Sequence, residues 1–177
     1  MFAQLLTFAW DSPHVDYHAF APAIIVAATL VILIVLESFI GERSRWVMSS
    51  LAGIGLLVAL IPVVTLANDG VARSLFGGAY VVDNYALVLD ALFLLSGYVV
   101  ILISTNYIAE GDYHEGEYYI LILSSVLGML VMASARDLIS IFVALELISI
   151  PAYMLAAWRK RDQKSNEAGL KLSLIHI

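Results

Sequence analysis

The sequence has no cysteine among its 177 residues, and only 14% of them are charged. Without cysteine, the chain cannot form disulfides, thiolate catalysts, iron-sulfur clusters or cysteine-ligated zinc sites of its own. Basic residues are also scarce: 9 Lys and Arg stand against 15 Asp and Glu, which excludes a basic groove for nucleic acid. The 4 histidines contain no HExxH motif, so no metal site is predicted.

Hydrophobic residues, in contrast, make up 62% of the chain, which excludes a soluble globular domain. Apolar runs long enough to cross a bilayer as helices cover 20–40, 46–67, 85–108, 118–135 and 138–158. Residues 1–16 contain no Lys or Arg, so the first run is expected to be a retained membrane helix and not a cleaved signal peptide. The predicted fold is all-α, a polytopic transmembrane bundle with five complete spans plus the start of a sixth.

Lysine and arginine are unevenly distributed between the two sides of this predicted bundle. One side carries six of them and the other carries two: Arg43, Arg45, Arg159, Lys160, Arg161 and Lys164 against Arg73 and Arg136. The positive-inside rule therefore predicts that the amino terminus lies outside the cytoplasm. Only Arg136 and Asp137 separate the fourth and fifth runs, which predicts a tight antiparallel helical hairpin.

A further helix is predicted to begin near Asn166, a plausible N-cap followed by Glu167 in the first turn. The sequence stops at Ile177, before this helix is long enough to cross a bilayer. We therefore expect the chain to be the front of a longer protein.

Glu146 is the strongest functional signal, because it lies near the middle of the fifth apolar run. Placing a carboxylate there costs at least about 2.5 to 3.5 kcal/mol, so it should face the bundle interior and pair, protonate or meet water. Proton or ion transfer is the favoured interpretation, and a permanently protonated packing residue is the alternative.

Three neighbours of Glu146 are candidate supporting groups. Ser149 and Tyr153 follow it by three and seven residues, which places them on the same helix face. Pro151 lacks an N–H and should free the carbonyl of Leu147. These polar groups together predict a place where water could be held, although an ordinary proline kink would account for Pro151 alone.

Other ionisable residues are weaker candidates. Lys171 lies about one turn inside the predicted sixth helix, where it either approaches Glu146 or snorkels to the headgroups. Asp90 is a further candidate supporting group, but we expect water to solvate both it and Asp83 at the outer interface. Glu37 is expected to face Arg43 or Arg45 at the end of the first helix.

A distinctive series of residues extends along the second half of the chain. It comprises Glu117-Tyr118-Tyr119, Ala133-Ser134-Ala135, Asp137-Leu138, Phe142, Glu146-Leu147, Ser149, Pro151, Tyr153, Glu167-Ala168 and Lys171. This series resembles subunit N of bacterial proton-pumping NADH-quinone oxidoreductase (respiratory complex I), one of its antiporter-like membrane subunits. The resemblance is strong from about residue 83 to residue 171, and the first eighty residues carry little of it.

The resemblance implies roles for two residues and a division of the chain. Glu146 falls on the essential channel glutamate of helix five, and Lys171 falls on its paired lysine in helix six. Residues 1–80 would hold two amino-terminal helices, and residues 81–171 would begin the proton-translocating core with helices three to six. Residues 172–177, including His176, depart from the family pattern and are interpreted as a truncation or frame artefact.

The resemblance also implies a setting in the bacterial inner (plasma) membrane, beside other membrane-arm subunits of the complex. NADH, FMN, iron-sulfur clusters and a quinone would bind in other subunits, and no cofactor is expected in this chain. Two alternatives stay open. One is a subunit of a multi-subunit cation/proton antiporter or membrane-bound hydrogenase, and the other is a structural helical scaffold in which Glu146 only packs.

Overall fold

The computed structural model describes residues 15–40, 45–109, 115–159 and 162–176. Within these ranges the chain forms helices and one small hairpin: α1 Tyr17–Ile40, α2 Arg45–Asp69, β1 Arg73–Leu75, β2 Tyr80–Val82, α3 Asn84–Ala109, α4 Glu115–Ser134, α5 Leu138–Ala156 and α6 Gln163–His176. Arg43, Lys160 and Arg161 lie outside the described residues.

Helices α1 to α5 are each long and apolar enough to cross a membrane. Their exposed side chains are themselves apolar, as at Val31, Ile54 and Ile103, which is expected where a helix faces lipid. The prediction of five spans and the start of a sixth is confirmed. The boundaries differ by a few residues. Helix α1 begins at Tyr17 and not near Phe20, because the Asp16 carboxylate accepts hydrogen bonds from the N–H groups of His18 and Ala19 and so caps the helix there.

The first four helices form a closed bundle. Helices α1 and α2, α2 and α3, and α3 and α4 pack as neighbours, and α4 returns to pack against α1. The centre is filled by fully buried apolar side chains, including Leu33, Leu56, Leu94 and Leu130. Helix α5 lies outside this bundle against α4, and α6 packs against α5.

The turn between α4 and α5 is short, as the sequence predicted. Residues 135–137 connect the two helices, and the Asp137 carboxylate accepts hydrogen bonds from the N–H groups of Ile139 and Ser140 at the start of α5. A hydrogen bond from the Ser140 side chain, together with these backbone groups, holds the pKa of Asp137 below its usual range. Asp137 is therefore the N-cap of α5.

A β-hairpin covers the end of the bundle at which α1 begins. Strands β1 and β2 pair antiparallel, with Arg73 opposite Val82 and Leu75 opposite Tyr80. Gly77 has φ 67° in the turn between them, a conformation that glycine adopts without steric cost. The hairpin lies between the second and third predicted spans, where no element was predicted, so it is an addition to the predicted fold.

Contacts from several helices hold the hairpin in place. The Phe20 ring of α1 meets Phe76 and Tyr80 edge-on, with centroid separations of 5.7 Å and 5.2 Å. The N–H of Arg136 donates to the Ala79 carbonyl at 2.8 Å. The hairpin thus connects the start of α1 to the turn that leads into α5.

Ion pairs add to this closure. Arg73 contacts Asp16 at 2.6 Å and Asp69 at 2.9 Å, and Arg136 contacts Asp83 at 2.8 Å. The hydrogen bond from Arg73 holds the pKa of Asp16 below its usual range, and in return Asp16 raises the pKa of Arg73. Both arginines at this end are therefore matched by carboxylates.

At the opposite end, Glu37 of α1 approaches the first turn of α4. A Cβ atom at Gly116 would lie 1.7 Å from the Glu37 Oε2 atom, so the carboxylate rests directly against that backbone. A negative charge at a helix N-terminus is stabilised by the helix dipole. The expectation that Glu37 faces Arg43 or Arg45 concerns side chains outside the described part of the structure.

Candidate functional site

Glu146 lies near the middle of α5 and is half-buried in this chain. Eight residues separate it from Leu138 and ten from Ala156, which corresponds to about 12 Å and 15 Å along the helix axis. The carboxyl group is therefore far from both helix ends, as the sequence predicted.

Helix α5 has two distinct faces around Glu146. Ala144, Ile148 and Pro151 lie on the face toward α4, where Ala144 and Pro151 are buried. Glu146 is two residues from both Ala144 and Ile148, a spacing that points it away from α4. Ser149 and Tyr153 follow at helical intervals and share its face. Glu146, Ser149 and Tyr153 thus form one stripe on the side of α5 that α4 does not cover, whereas Pro151 lies on the opposite face. Glu146 therefore points away from the α1–α4 bundle and not, as was expected from the sequence, into its interior.

Close packing against α4 fixes the position of this stripe. A Cβ atom at Gly128 would lie 2.8 Å from the Ile148 side chain and 3.0 Å from both the Ala144 carbonyl oxygen and the Ile148 nitrogen. Only glycine therefore allows the α4 backbone to approach α5 this closely. The approach occurs at the two residues that flank Glu146.

Pro151 interrupts the hydrogen-bond ladder of α5 one turn after Glu146, since it has no N–H for the Leu147 carbonyl. The Ser125 hydroxyl of α4 donates to the adjacent Ile148 carbonyl over 3.4 Å, a long hydrogen bond. A polar group from α4 therefore reaches the backbone of α5 close to the proline. Sequence reasoning missed Ser125, because nothing in the pattern of α4 indicates which turn of α5 it meets.

Helix α6 packs on the same face of α5 that carries Glu146. A Cβ atom at Gly169 would lie 2.5 Å from the Ala157 Cβ and 3.2 Å from the Tyr153 carbonyl oxygen. Seven residues separate Tyr153 from Glu146, and seven separate Gly169 from His176, or about 10 Å along each helix. If α6 runs antiparallel to α5, its last described turn lies near the level of Glu146.

Lys171 is two residues beyond Gly169 in α6. Its Nζ atom lies 2.6 Å from the Glu167 Oε1 atom, and the lysine side chain is 68% exposed. In an antiparallel arrangement of α5 and α6, the same helical arithmetic would put its backbone about 8 Å from Glu146 along the helix axis. The ion pair recorded for Lys171 is therefore with its own helix, and its predicted coupling with Glu146 stays a prediction.

Asp90 corrects one expectation. It lies in the second turn of α3 and is only 2% exposed, so the prediction that water solvates it at the interface is wrong. The reason is the hairpin, which covers this end of the bundle. Asp83, in contrast, is partly exposed and pairs with Arg136.

Tyr80, which belongs to β2 of the hairpin, lies near Asp90 and Ser134, and sequence reasoning missed its role. Tyr80 and Ser134 are both buried, and burial raises the pKa of Tyr80 to about 12. A contact with the Ser134 side chain opposes this rise, and an ionised Asp90 would add to it. Residues of β2, α3 and α4 therefore form one buried polar cluster. The Gly77-Gly78 pair between apolar segments was the available signal for the hairpin.

Known proteins resemble this chain in sequence. The family model described as NADH:quinone oxidoreductase/Mrp antiporter, TM, matches residues 135–177. NADH-quinone oxidoreductase subunit N of Trichlorobacter lovleyi is 34% identical over 161 residues, which cover 91% of this chain and 33% of that protein. NAD(P)H-quinone oxidoreductase subunit 2 of Gloeobacter violaceus is 34% identical over 157 residues, or 87% of this chain and 30% of that protein.

A solved structure also resembles the fold. A chain of respiratory complex I from Thermus thermophilus with bound aureothin matches with a TM-score of 0.71 and 30% identity, over 87% of this chain and 32% of that chain. The present chain therefore spans about a third of the length of the curated relatives it matches. The resemblance to subunit N is confirmed, and the chain is a multi-pass membrane protein.

Proposed function

We propose that this chain forms part of a membrane-arm subunit of proton-pumping NADH-quinone oxidoreductase. The observation that carries the proposal is the position of Glu146, a carboxyl group at mid-membrane depth on a face of α5 that α4 leaves uncovered. Similarity to subunit N over nine tenths of the chain supports it. The bilayer is then the bacterial inner membrane, with other membrane-arm subunits as neighbours.

The chemistry assigned to Glu146 is reversible proton binding. A carboxyl group in a low-dielectric region is costly as an anion, so a change in nearby charge moves its proton. Ser149 and Tyr153 continue from it along one helix face toward α6 and supply hydroxyl groups for a water chain. Pro151 leaves a backbone carbonyl available on the same segment.

Lys171 is the proposed electrostatic partner of Glu146. If the Lys171 ammonium group comes to about 8 Å from the Glu146 carboxylate, an effective dielectric constant of about 20 gives an interaction of roughly 2 kcal/mol between the two unit charges. This energy corresponds to a factor of about 30 in a protonation equilibrium. If Lys171 left Glu167 and moved toward Glu146, the interaction energy between Lys171 and Glu146 would increase. A change elsewhere in the complex that moves Lys171 in this way could therefore alter the protonation of Glu146.

Redox chemistry is assigned to other subunits. NADH, FMN, iron-sulfur clusters and quinone would bind there, and among the described residues of this chain no cluster of three metal-ligating side chains occurs. Quinone reduction would then alter the charge near this subunit, and Glu146 would respond by exchanging a proton. The positive-inside rule places the hairpin end outside the cytoplasm and α6 on the cytoplasmic side.

A second function has one observation in its favour. The family model that matches residues 135–177 is described by both NADH:quinone oxidoreductase and Mrp antiporter. A subunit of a cation/proton antiporter would use Glu146 in the same way but would need no quinone reductase activity. Co-purification of a flavin and iron-sulfur arm with the full-length subunit separates the two functions.

The deciding experiment replaces Glu146 with Gln in the full-length subunit. Glu146→Gln keeps the side-chain volume but cannot exchange a proton, so we expect proton pumping in membrane vesicles to fall at least about tenfold with the complex still assembled. Glu117→Gln, an exposed residue at the start of α4, is the matched control and should pump normally. Normal pumping by Glu146→Gln would favour the structural scaffold.

A further inference from the structure

Asp90 is a buried carboxyl group that the proposed pathway through Glu146 does not use. It is 2% exposed, and its Oδ1 atom has no hydrogen-bond partner among the described residues. Six residues separate it from Asn84, so it lies about 9 Å below the start of α3. A buried polar atom without a partner is rare in native structures, and its cost is lower when the carboxyl group is protonated and uncharged.

Among the described residues, no lysine or arginine compensates a charge on Asp90, and the His18 ring at this end contacts the Thr65 hydroxyl. Between residues 46 and 158 the sequence contains only two Lys or Arg residues, Arg73 and Arg136. Arg73 pairs with Asp16 and Asp69, and Arg136 pairs with Asp83. An ionised carboxylate buried without a cation is strongly unfavourable, so Asp90 is stable in this place only with a proton bound.

The elements packed around α3 supply few other titratable groups near Asp90. Helix α2 carries no charged residue at 46–68, and α4 carries none at 118–134. Tyr80 from β2 is the titratable neighbour, and Ser134 from α4 adds a hydroxyl group. Neither group carries a positive charge, so neither can compensate an ionised Asp90.

The hairpin is the cover between Asp90 and the solution. Its strands are three residues each, and Tyr80 is held by an edge-on contact with Phe20 and by the bridge to Ala135. Small elements of this kind open locally far more often than the whole protein unfolds. Local opening at Tyr80 would bring water to Asp90 without disturbing the four-helix core.

We propose that Asp90 binds a proton and exchanges it with the solution on the hairpin side of the bundle, with Tyr80 as the cover of the site. This site lies at the opposite end of the bundle from α6. It is independent of Glu146, and its test uses a measurement that does not depend on pumping.

The test is infrared difference spectroscopy on the full-length subunit in its assembled complex. We expect a protonated-carboxyl band that shifts in deuterated buffer and that also shifts when heavy-carbon aspartate is incorporated. Asp90→Asn should remove this band. Asp69→Asn, which changes an exposed aspartate at the same end, should leave it unchanged. Glu146→Gln should also leave the band unchanged. The proposal for Asp90 can therefore fail without affecting the proposal for Glu146, and the reverse is also true.

The role of the cover is tested by the rate of that deuterium shift. Tyr80→Ala removes the contact with Phe20, so exchange at Asp90 should accelerate on the order of tenfold or more. Tyr85→Ala, which changes a tyrosine that is 70% exposed on α3, should have no effect. A band that never shifts in deuterated buffer would identify Asp90 as a permanently protonated packing residue and would overturn the proposal. Absence of the band in the wild-type protein would also overturn it, because Asp90 would then carry no proton. Equal rates in the two tyrosine variants would refute the assignment of Tyr80.

Discussion

Gly128→Ala tests whether α5 is held in place by backbone contact with α4. The added Cβ would lie 3.0 Å from the Ala144 carbonyl oxygen and from the Ile148 nitrogen. Ordinary contacts of this kind lie near 3.5 Å, so the helices must separate by about 0.5 Å. Because two of the three contacts are with backbone atoms, a change of rotamer cannot relieve them.

Whether Gly128→Ala stabilises or destabilises the chain depends on two opposing contributions to the free energy of unfolding. Alanine favours a helix over glycine by up to about 1 kcal/mol, whereas overpacking of this kind costs about 1 to 3 kcal/mol. Overpacking exceeds the gain in helix propensity over most of that range, so we expect Gly128→Ala to lower the free energy of unfolding. The loss should concentrate in α5 and α6, because α5 packs chiefly on α4.

Gly53→Ala is the matched control for this experiment. Its Cβ would lie 3.3 Å from the edge of the Tyr98 ring, a side chain that can rotate away, so the helix-propensity gain should dominate there. Unfolding is measured by titrating the detergent-solubilised chain with SDS and following its circular dichroism. If Gly128→Ala is as stable as Gly53→Ala, the close approach of α4 and α5 is not as described.

Two further predictions concern the ends of the bundle. Asp16→Asn should lower the free energy of unfolding at neutral pH, by at most about 1 kcal/mol for so exposed a pair. Because Arg73 lowers the folded-state pKa of Asp16, the difference from wild type should shrink as the pH falls below about 4, and a difference that persists at lower pH would contradict the ion pair. For topology, single cysteines at Ser74 and Gln163 of this cysteine-free chain should react oppositely with an impermeant thiol reagent applied outside sealed cells: Ser74→Cys should be labelled and Gln163→Cys protected, and the reverse result would invert the orientation.

Sequence reasoning was most successful for the helices and for the mid-helix position of Glu146. Apolar runs of sufficient length leave few alternatives in a bilayer, because every backbone group must be bonded internally. A carboxyl group in the middle of such a run is therefore visible without any structure. The α4–α5 turn was equally accessible, since Asp137 directly follows one apolar run and caps the next.

Contacts between distant segments could not be predicted in the same way. Asp90 looked accessible because it lies near the end of α3, and only the folded hairpin places Tyr80 over it. Glu37 and Gly116 meet although they are far apart in sequence, and neither residue type indicates the other. Ser125 is likewise unremarkable in α4 until the helix pair brings it to Ile148. These positions depend on tertiary packing, which local propensity does not encode.

The hairpin also has a mechanical consequence for the bundle. By joining α1 to the α4–α5 turn through Phe20, Ala79 and Arg136, it restricts relative displacement of these helices at one end. Rocking of α5 against α4 is therefore smallest near the hairpin and grows along the helix toward Tyr153 and α6. Helix α5 would then rotate about its end at the hairpin. Glu146, about halfway along α5, would be displaced less than the end of α5 that contacts α6.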